Sequence, residues 1–96
     1  MKVVWTNGCF DVLHRGHIEM LKFARSLGDK LIVGLDTDEK VKLSKGEDRP
    51  FNNLEDREMM VRSIRYVDDT VSFDSQNELE NLIKTIKPDI LVVGSD

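Results

Sequence analysis

The chain is poor in the residues that staple, anchor or stop a protein. Its 96 residues include one cysteine, two prolines, one tryptophan and one tyrosine. A single cysteine, Cys9, excludes an internal disulfide framework and a cysteine-built zinc cage. No apolar run exceeds the four residues Ile90 to Val93, whereas a membrane helix needs roughly 20. Lys2-Val3-Val4-Trp5 turns polar at Thr6 and Asn7 before an apolar leader segment develops, so no secretory signal is expected. Positive charge is also short. The 14 Lys and Arg stand against 18 Asp and Glu, a formal charge of −4, which is the wrong sign for a face that grips nucleic acid. What is present is 40% apolar residues, enough for one core. These features predict a soluble, cytoplasmic, single-domain protein spanning 1–96 with no membrane or nucleic-acid partner.

No repeat, low-complexity tract or Ser/Pro linker marks a boundary. Lys2 to Thr6 reads as a short buried strand, broken at Asn7-Gly8. From Gly16 to Leu27 the spacing is helical, with Met20, Leu21, Ala24 and Leu27 on one stripe and Gly28 as the C-terminal cap. Leu31 to Leu35 is a second buried strand. Thr37 to Asn53 is polar throughout and reads as a loop of about 17 residues, a length at which loops are usually functional or mobile. Asn53 caps a helix from Leu54 to about Tyr66, with Met60, Val61 and Ile64 pointing inward. Thr70 to Phe73 alternates as an edge strand does. Ser75 and Glu78 form a capping box for a helix with the stripe Leu79, Leu82, Ile83 and Ile86. Pro88 ends it, and Ile90 to Val93 is a third fully buried strand.

Strands alternating with amphipathic helices predict an α/β fold with a parallel sheet covered on both faces and right-handed crossovers. The three buried strands belong in the centre and the Thr70 strand at an edge, giving the order 3-2-1-4. Ligands of such sheets bind beyond the C-terminal strand ends where the order reverses. That crevice is formed by Asn7 to Asp11, Asp36 to Asp38 and Gly94 to Asp96.

Both histidines, His14 and His17, flank Gly16 between the first strand and the first helix. A helix N-terminus offers unpaired N–H groups and about half a positive charge, so it attracts phosphate. The same field keeps imidazole neutral with one N–H to donate. Gly8 and Gly16 let backbone approach a bulky anion. Two imidazole donors and a helix dipole suit the charge that develops on phosphorus during substitution. Two plainer readings stand beside this one. The histidines could be satisfied helix-start residues, or they could bind a metal, although a third Cys or His ligand is missing.

The run Asn7-Gly8-Cys9-Phe10-Asp11 followed by His14-x-Gly16-His17 resembles the cytidylyltransferase-like nucleotidyltransferases, whose hallmark is H-x-G-H on a Rossmann-like sheet. Two branches of that family share further residues with the chain. Lys45-Gly46, Arg49-Pro50-x-Asn52 and Val71-Ser72-Phe73 resemble the nucleotidyltransferase domain of ADP-heptose synthase. Thr37-Asp38-Glu39 and Ile64-Arg65-Tyr66-Val67-Asp68 resemble glycerol-3-phosphate cytidylyltransferase. The resemblance implies transfer of a nucleotidyl group from ATP or CTP to a phosphorylated sugar or polyol, with Mg²⁺ and release of pyrophosphate. Adenylyl transfer is favoured over cytidylyl transfer. It also implies a fifth strand and a Ser/Thr-rich segment past residue 96. The sheet edge at Ile90 to Val93 would then be covered by further chain, a second copy or another partner. A nucleotide-binding module without turnover is the rival from another class. A phospho-receiver is a third, but it would want paired acids where the chain has Asn7-Gly8-Cys9.

The resemblance assigns His14, His17 and Lys45 to catalysis, and Thr6, Asn7, Gly8, Cys9, Phe10 and Gly16 to the nucleotide alongside the two histidines. It assigns Asp11, Lys42, Lys45, Arg57, Arg65 and Asp96 to substrate, and no residue to a metal. Read without it, Lys42 and Lys45 are solvated loop lysines and Arg65 is surface. Arg57 falls in the middle of an apolar stripe, so its charge must find a partner or reach an anion. The candidates are Asp36, Asp38 or a phosphate. Asp11 orients its own loop or binds substrate hydroxyls, with an Asx-type turn hydrogen bond as the plain alternative. Cys9 reads as a small packing position, and Trp5 and Met59-Met60 as core.

Overall fold

A computed structural model describes residues 1–94. The elements are β1 (Val3–Gly8), α1 (Arg15–Ser26), β2 (Lys30–Asp36), α2 (Asp38–Lys45), α3 (Leu54–Arg62), β3 (Asp69–Phe73), α4 (Gln76–Ile86) and β4 (Ile90–Val92). All four strands are parallel, in the order β3-β2-β1-β4, so the reading 3-2-1-4 and the reversal beside β1 hold. Side chains alternate across the sheet. Val4, Leu31, Val33 and Leu35 pack with Leu21 and Ala24 of α1 and Val61 of α3 on one face. Trp5, Ile32 and Phe73 pack with Leu79 of α4 on the other.

Four sequence expectations are corrected. The segment 37–53 is not all loop, because α2 occupies Asp38–Lys45. Thr37 caps it by accepting from the Lys40 N–H, acids fill its first turn and Lys42 and Lys45 its last, so it is held by capping and dipole complementarity. Only Val41 is buried, too little for an apolar stripe to register. Asn7-Gly8 does not break β1, since Asn7 pairs with Gly34 and Gly8 with Leu35 of the longer neighbour. Helix α3 stops at Arg62, where Ser63 takes the C-cap, and Met60 points outward at 59% exposure. Its buried stripe is Arg57 and Val61, with half-buried Leu54 and Ile64 packed on the same core. Last, Ile90 to Val93 is not a buried central strand. Among the described residues β4 pairs only with β1, and Leu91 and Val93 are 55% and 91% exposed.

Gly28 also has a different role from a left-handed cap. A Cβ there would lie 2.7 Å from the Lys2 carbonyl oxygen and 2.8 Å from Val4 Cγ2. It is glycine because α1 turns back hard against the start of β1.

Candidate active site

The C-terminal strand ends open into a cleft of about 320 Å³ lined by Asn7, Gly8, Cys9, Asp36, Lys40, Lys45, Gln76, Leu79, Val92, Val93 and Gly94. Asn7, Gly8, Cys9, Asp36 and Gly94 of the expected crevice thus meet Lys45 of α2, whereas Phe10 and Asp11 line a separate cavity with Arg57. After β1 the chain turns sharply. Phe10 takes φ 52°, a left-handed conformation that costs a non-glycine residue roughly 1–2 kcal/mol, and its buried ring folds back over Gly8.

The turn delivers the chain to α1, whose start is built from the two histidines. His14 is the N-cap, and its Nδ1 accepts the Gly16 N–H at 2.9 Å. Three residues on, His17 Nδ1 accepts the His14 N–H at 3.2 Å. This is a capping box made of imidazoles. An Nδ1 that accepts carries no proton, so the ring proton of each histidine sits on Nε2. The rings lie 4.0 Å apart between centroids, and Phe10 lies 5.4 Å from His17. Gly16 is required by the same fold. A Cβ on it would meet His14 Cε1 at 2.6 Å and Nδ1 at 2.9 Å. No acid stands in the first turn of α1, so none of that turn's own side chains offsets the partial positive charge of the helix end.

Arg57 is 1% exposed and its fork ties four segments together. Nε donates to the Asn52 carbonyl at 2.9 Å, and Nη1 to the carbonyls of Cys9 and Asp36 at 2.9 and 2.8 Å. Nη2 donates to Asp38 Oδ1 at 2.7 Å. Of the two carboxylates considered from sequence, Asp38 makes the ion pair, while Asp36 contributes its backbone and pairs with Lys40 at 3.8 Å. Asp11 is committed in the same way. Its carboxylate accepts from Arg49 Nε at 3.1 Å and from the N–H groups of Phe51 and Asn52, each at 2.8 Å. Asn52 Nδ2 returns a bond to the Asp11 carbonyl. Asp11 thus fastens its own loop to the segment 49–52.

Burial raises the pKa of Asp11, but the Phe51 and Asn52 N–H groups and Arg49 together outweigh it and hold the carboxyl below its usual 3.8. The unfolded chain thus binds the proton more readily. The stabilisation is complete above the unfolded value and is lost as pH falls through the folded one. Asp11→Asn should cost about 1.5–3 kcal/mol at pH 7, the range for hydrogen bonds to a charged group. Urea unfolding should show the gap between wild type and D11N narrowing from pH 5 to pH 3. For Cys9, burial pushes the thiol up, only partly countered by Arg57 and Lys45. It is a protonated packing residue rather than a nucleophile.

The remaining predicted residues scatter. Thr6 is fully buried and donates to the Val92 carbonyl at 2.8 Å, tying β1 to β4. Lys42 lines a separate depression with Asp38, Pro50, Phe51, Asn53 and Asp56. Arg65 is exposed in the turn before β3, at the opposite end of the parallel strands from the cleft. Asp96 lies outside the described residues. Sequence reasoning did not single out Lys40, Gln76 or Leu79 as one wall of the cleft, nor Arg49 and Asn52 as the clasp on Asp11. Only the Arg49-Pro50-x-Asn52 run hinted at the clasp.

With this geometry in view, the cytidylyltransferase-like family model matches residues 5–96. The chain belongs to the cytidylyltransferase-like family. It is 53% identical over 94 residues to the bifunctional protein HldE of Campylobacter fetus and 54% identical over 95 residues to that of Helicobacter hepaticus. These alignments take in 98% and 99% of the chain but 20% of each relative, so the chain spans about a fifth of their length. A crystal structure of the lipopolysaccharide core biosynthesis protein from Thermoplasma volcanium superposes with a TM-score of 0.80 at 28% identity, over 95% of this chain and 72% of that one. The fold is therefore the Rossmann-like one implied by H-x-G-H. No helix among the described residues is long and apolar enough to cross a membrane.

Proposed function

We propose that this cytidylyltransferase-like domain transfers an adenylyl group from ATP to a sugar phosphate, as ADP-heptose synthase does, with release of pyrophosphate. The observation that carries the reading is the pair of Nε2–H donors on His14 and His17 at a helix start with no acid in its first turn, in a fold whose strand-end cleft bears Lys45. A phosphate oxygen of the acceptor attacks the α-phosphorus, the bond to the bridging oxygen breaks, and pyrophosphate leaves. The acceptor is already anionic, so no general base is needed. The site has to position the reactants and neutralise charge. In this reading the imidazoles donate to the oxygens that gain charge, and Lys45 draws the phosphates towards the cleft.

Among the described residues no three His, Cys, Asp or Glu side chains converge. Magnesium needs no such cage, since it is usually held by phosphate oxygens and water with one or two carboxylates, a part that Asp36 of the cleft would fit. The Arg49-Pro50-x-Asn52 clasp and the similarity to HldE proteins favour ATP and a sugar phosphate. The Ile64-Arg65-Tyr66-Val67-Asp68 run favours a second reading, CTP with glycerol 3-phosphate.

Pyrophosphate release should be measured with ATP or CTP, magnesium, and either a heptose phosphate or glycerol 3-phosphate. Release with ATP and the sugar phosphate alone is the expected result. CTP with glycerol 3-phosphate would select the second reading. Calorimetric nucleotide binding with no release in any pairing would replace transfer by a binding module.

A further inference from the structure

Trp5 carries one feature that its role in the core does not use. Its indole N–H donates to Asn7 Oδ1 at 2.8 Å, across two residues of β1. Residues i and i+2 of a strand share a face, so Asn7 stands directly beyond the indole on the α4 side of the sheet. An indole nitrogen can only donate, and this fixes which end of the amide is which. The oxygen faces Trp5, and the NH₂ group is turned away from it. Asn7 lines the cleft, and among the described residues nothing accepts from its Nδ2.

The arrangement is built into the neighbouring strand. Gly34 pairs with Asn7 in register, and a Cβ there would lie 2.6 Å from Trp5 Cζ2 and 2.7 Å from Cη2. The adjoining position of β2 has no side chain, and the indole occupies that space while 1% exposed. A buried indole N–H needs an acceptor, and here that acceptor is the side chain of a cleft residue.

We infer that Trp5 is a positioning residue that presets the Asn7 amide as a two-hydrogen donor to a phosphoryl oxygen bound in the cleft. The phosphoryl group belongs either to the nucleotide or to the phosphorylated acceptor. The inference rests on the cleft being a phosphate-handling site, but it does not require turnover. Fixing the amide removes a rotamer search and prevents its oxygen from facing an anion.

A double-mutant cycle with Trp5→Phe and Asn7→Ala tests it, read by calorimetric titration with ATP, glycerol 3-phosphate and inorganic phosphate. Thermal unfolding run in parallel verifies that each variant is folded at the titration temperature. Each single change should weaken at least one probe by about tenfold, and the double variant should be no weaker than N7A. The probe affected identifies the source of the phosphoryl group. Should N7A fail to fold because the indole loses its acceptor, Asn7→Asp keeps that acceptor and sets an anionic oxygen where the NH₂ was. N7D should lose affinity for the same probe. Additive losses, unchanged affinity in N7A or N7D, or no binding of any probe by wild type would overturn the inference. Coupled binding without pyrophosphate release would leave it standing and remove only the transfer reading.

Discussion

Replacing Arg57 with Ala should sharply lower the temperature at which the protein unfolds. The substitution strips the carbonyls of Cys9, Asp36 and Asn52 of their donor and leaves Asp38 without its partner. Breaking a buried ion pair from one side costs about 3–5 kcal/mol. Asp38 is 36% exposed, so water takes over part of its demand and the lower end of that range applies. Against a total stability of about 5–15 kcal/mol, a loss near 3 lowers the melting midpoint by roughly 12–24 °C in a domain of this size. Arg57→Lys should recover only part of it, because one ammonium cannot span acceptors that a planar fork reaches in several directions. Thermal unfolding of wild type, R57A and R57K checks the order. Equal midpoints would mean that the four segments hold together without the guanidinium.

Arg57 also shows what could and could not be read from the sequence. Its position in an apolar stripe announced a buried charge, and Asp36 and Asp38 were the carboxylates within reach. That the fork would also collect three carbonyls depends on where three separate loops end, and no local pattern encodes that. Asp11 is a similar case, since its partners stand 38 to 41 positions away. The strand order was legible because burial differs between strands, in the runs Leu31 to Leu35 and Val3 to Trp5. Helix α2 was not, because one buried valine among charges carries no periodicity. The β4 strand misled for the opposite reason. Ile90 to Val93 is apolar, and apolar composition cannot say whether a neighbour covers it. The histidines stood out by type and place. Their i, i+3 spacing is also that of a capping box, a signal present in the sequence and visible only once the cap was seen.

That double role allows capping and chemistry to be separated. Asn is among the best N-cap residues, and Gln at the third helical position completes a capping box. His14→Asn and His17→Gln therefore keep acceptors for the Gly16 and His14 N–H groups while removing both imidazole Nε2–H donors. Stability should change by no more than about 0.5–1 kcal/mol, the small end of cap substitutions. Catalysis should not survive. Removing one preorganised donor from an acyl-transfer site costs about 10²–10³ in rate, and a similar loss is expected for each histidine. A purely capping function would be met as well by Asn and Gln, so the two variants discriminate between the roles without unfolding the helix start.

The central claim is that these imidazoles stabilise charge at the transferring phosphorus. The most direct measurement is single-turnover pyrophosphate release by wild type, H14N and H17Q at saturating ATP and sugar phosphate, with urea unfolding of the same samples. The account predicts rates lower by about 10²–10³ in each variant with stability within about 1 kcal/mol of wild type. Undiminished release in H14N and H17Q would contradict it and reduce the pair to a cap.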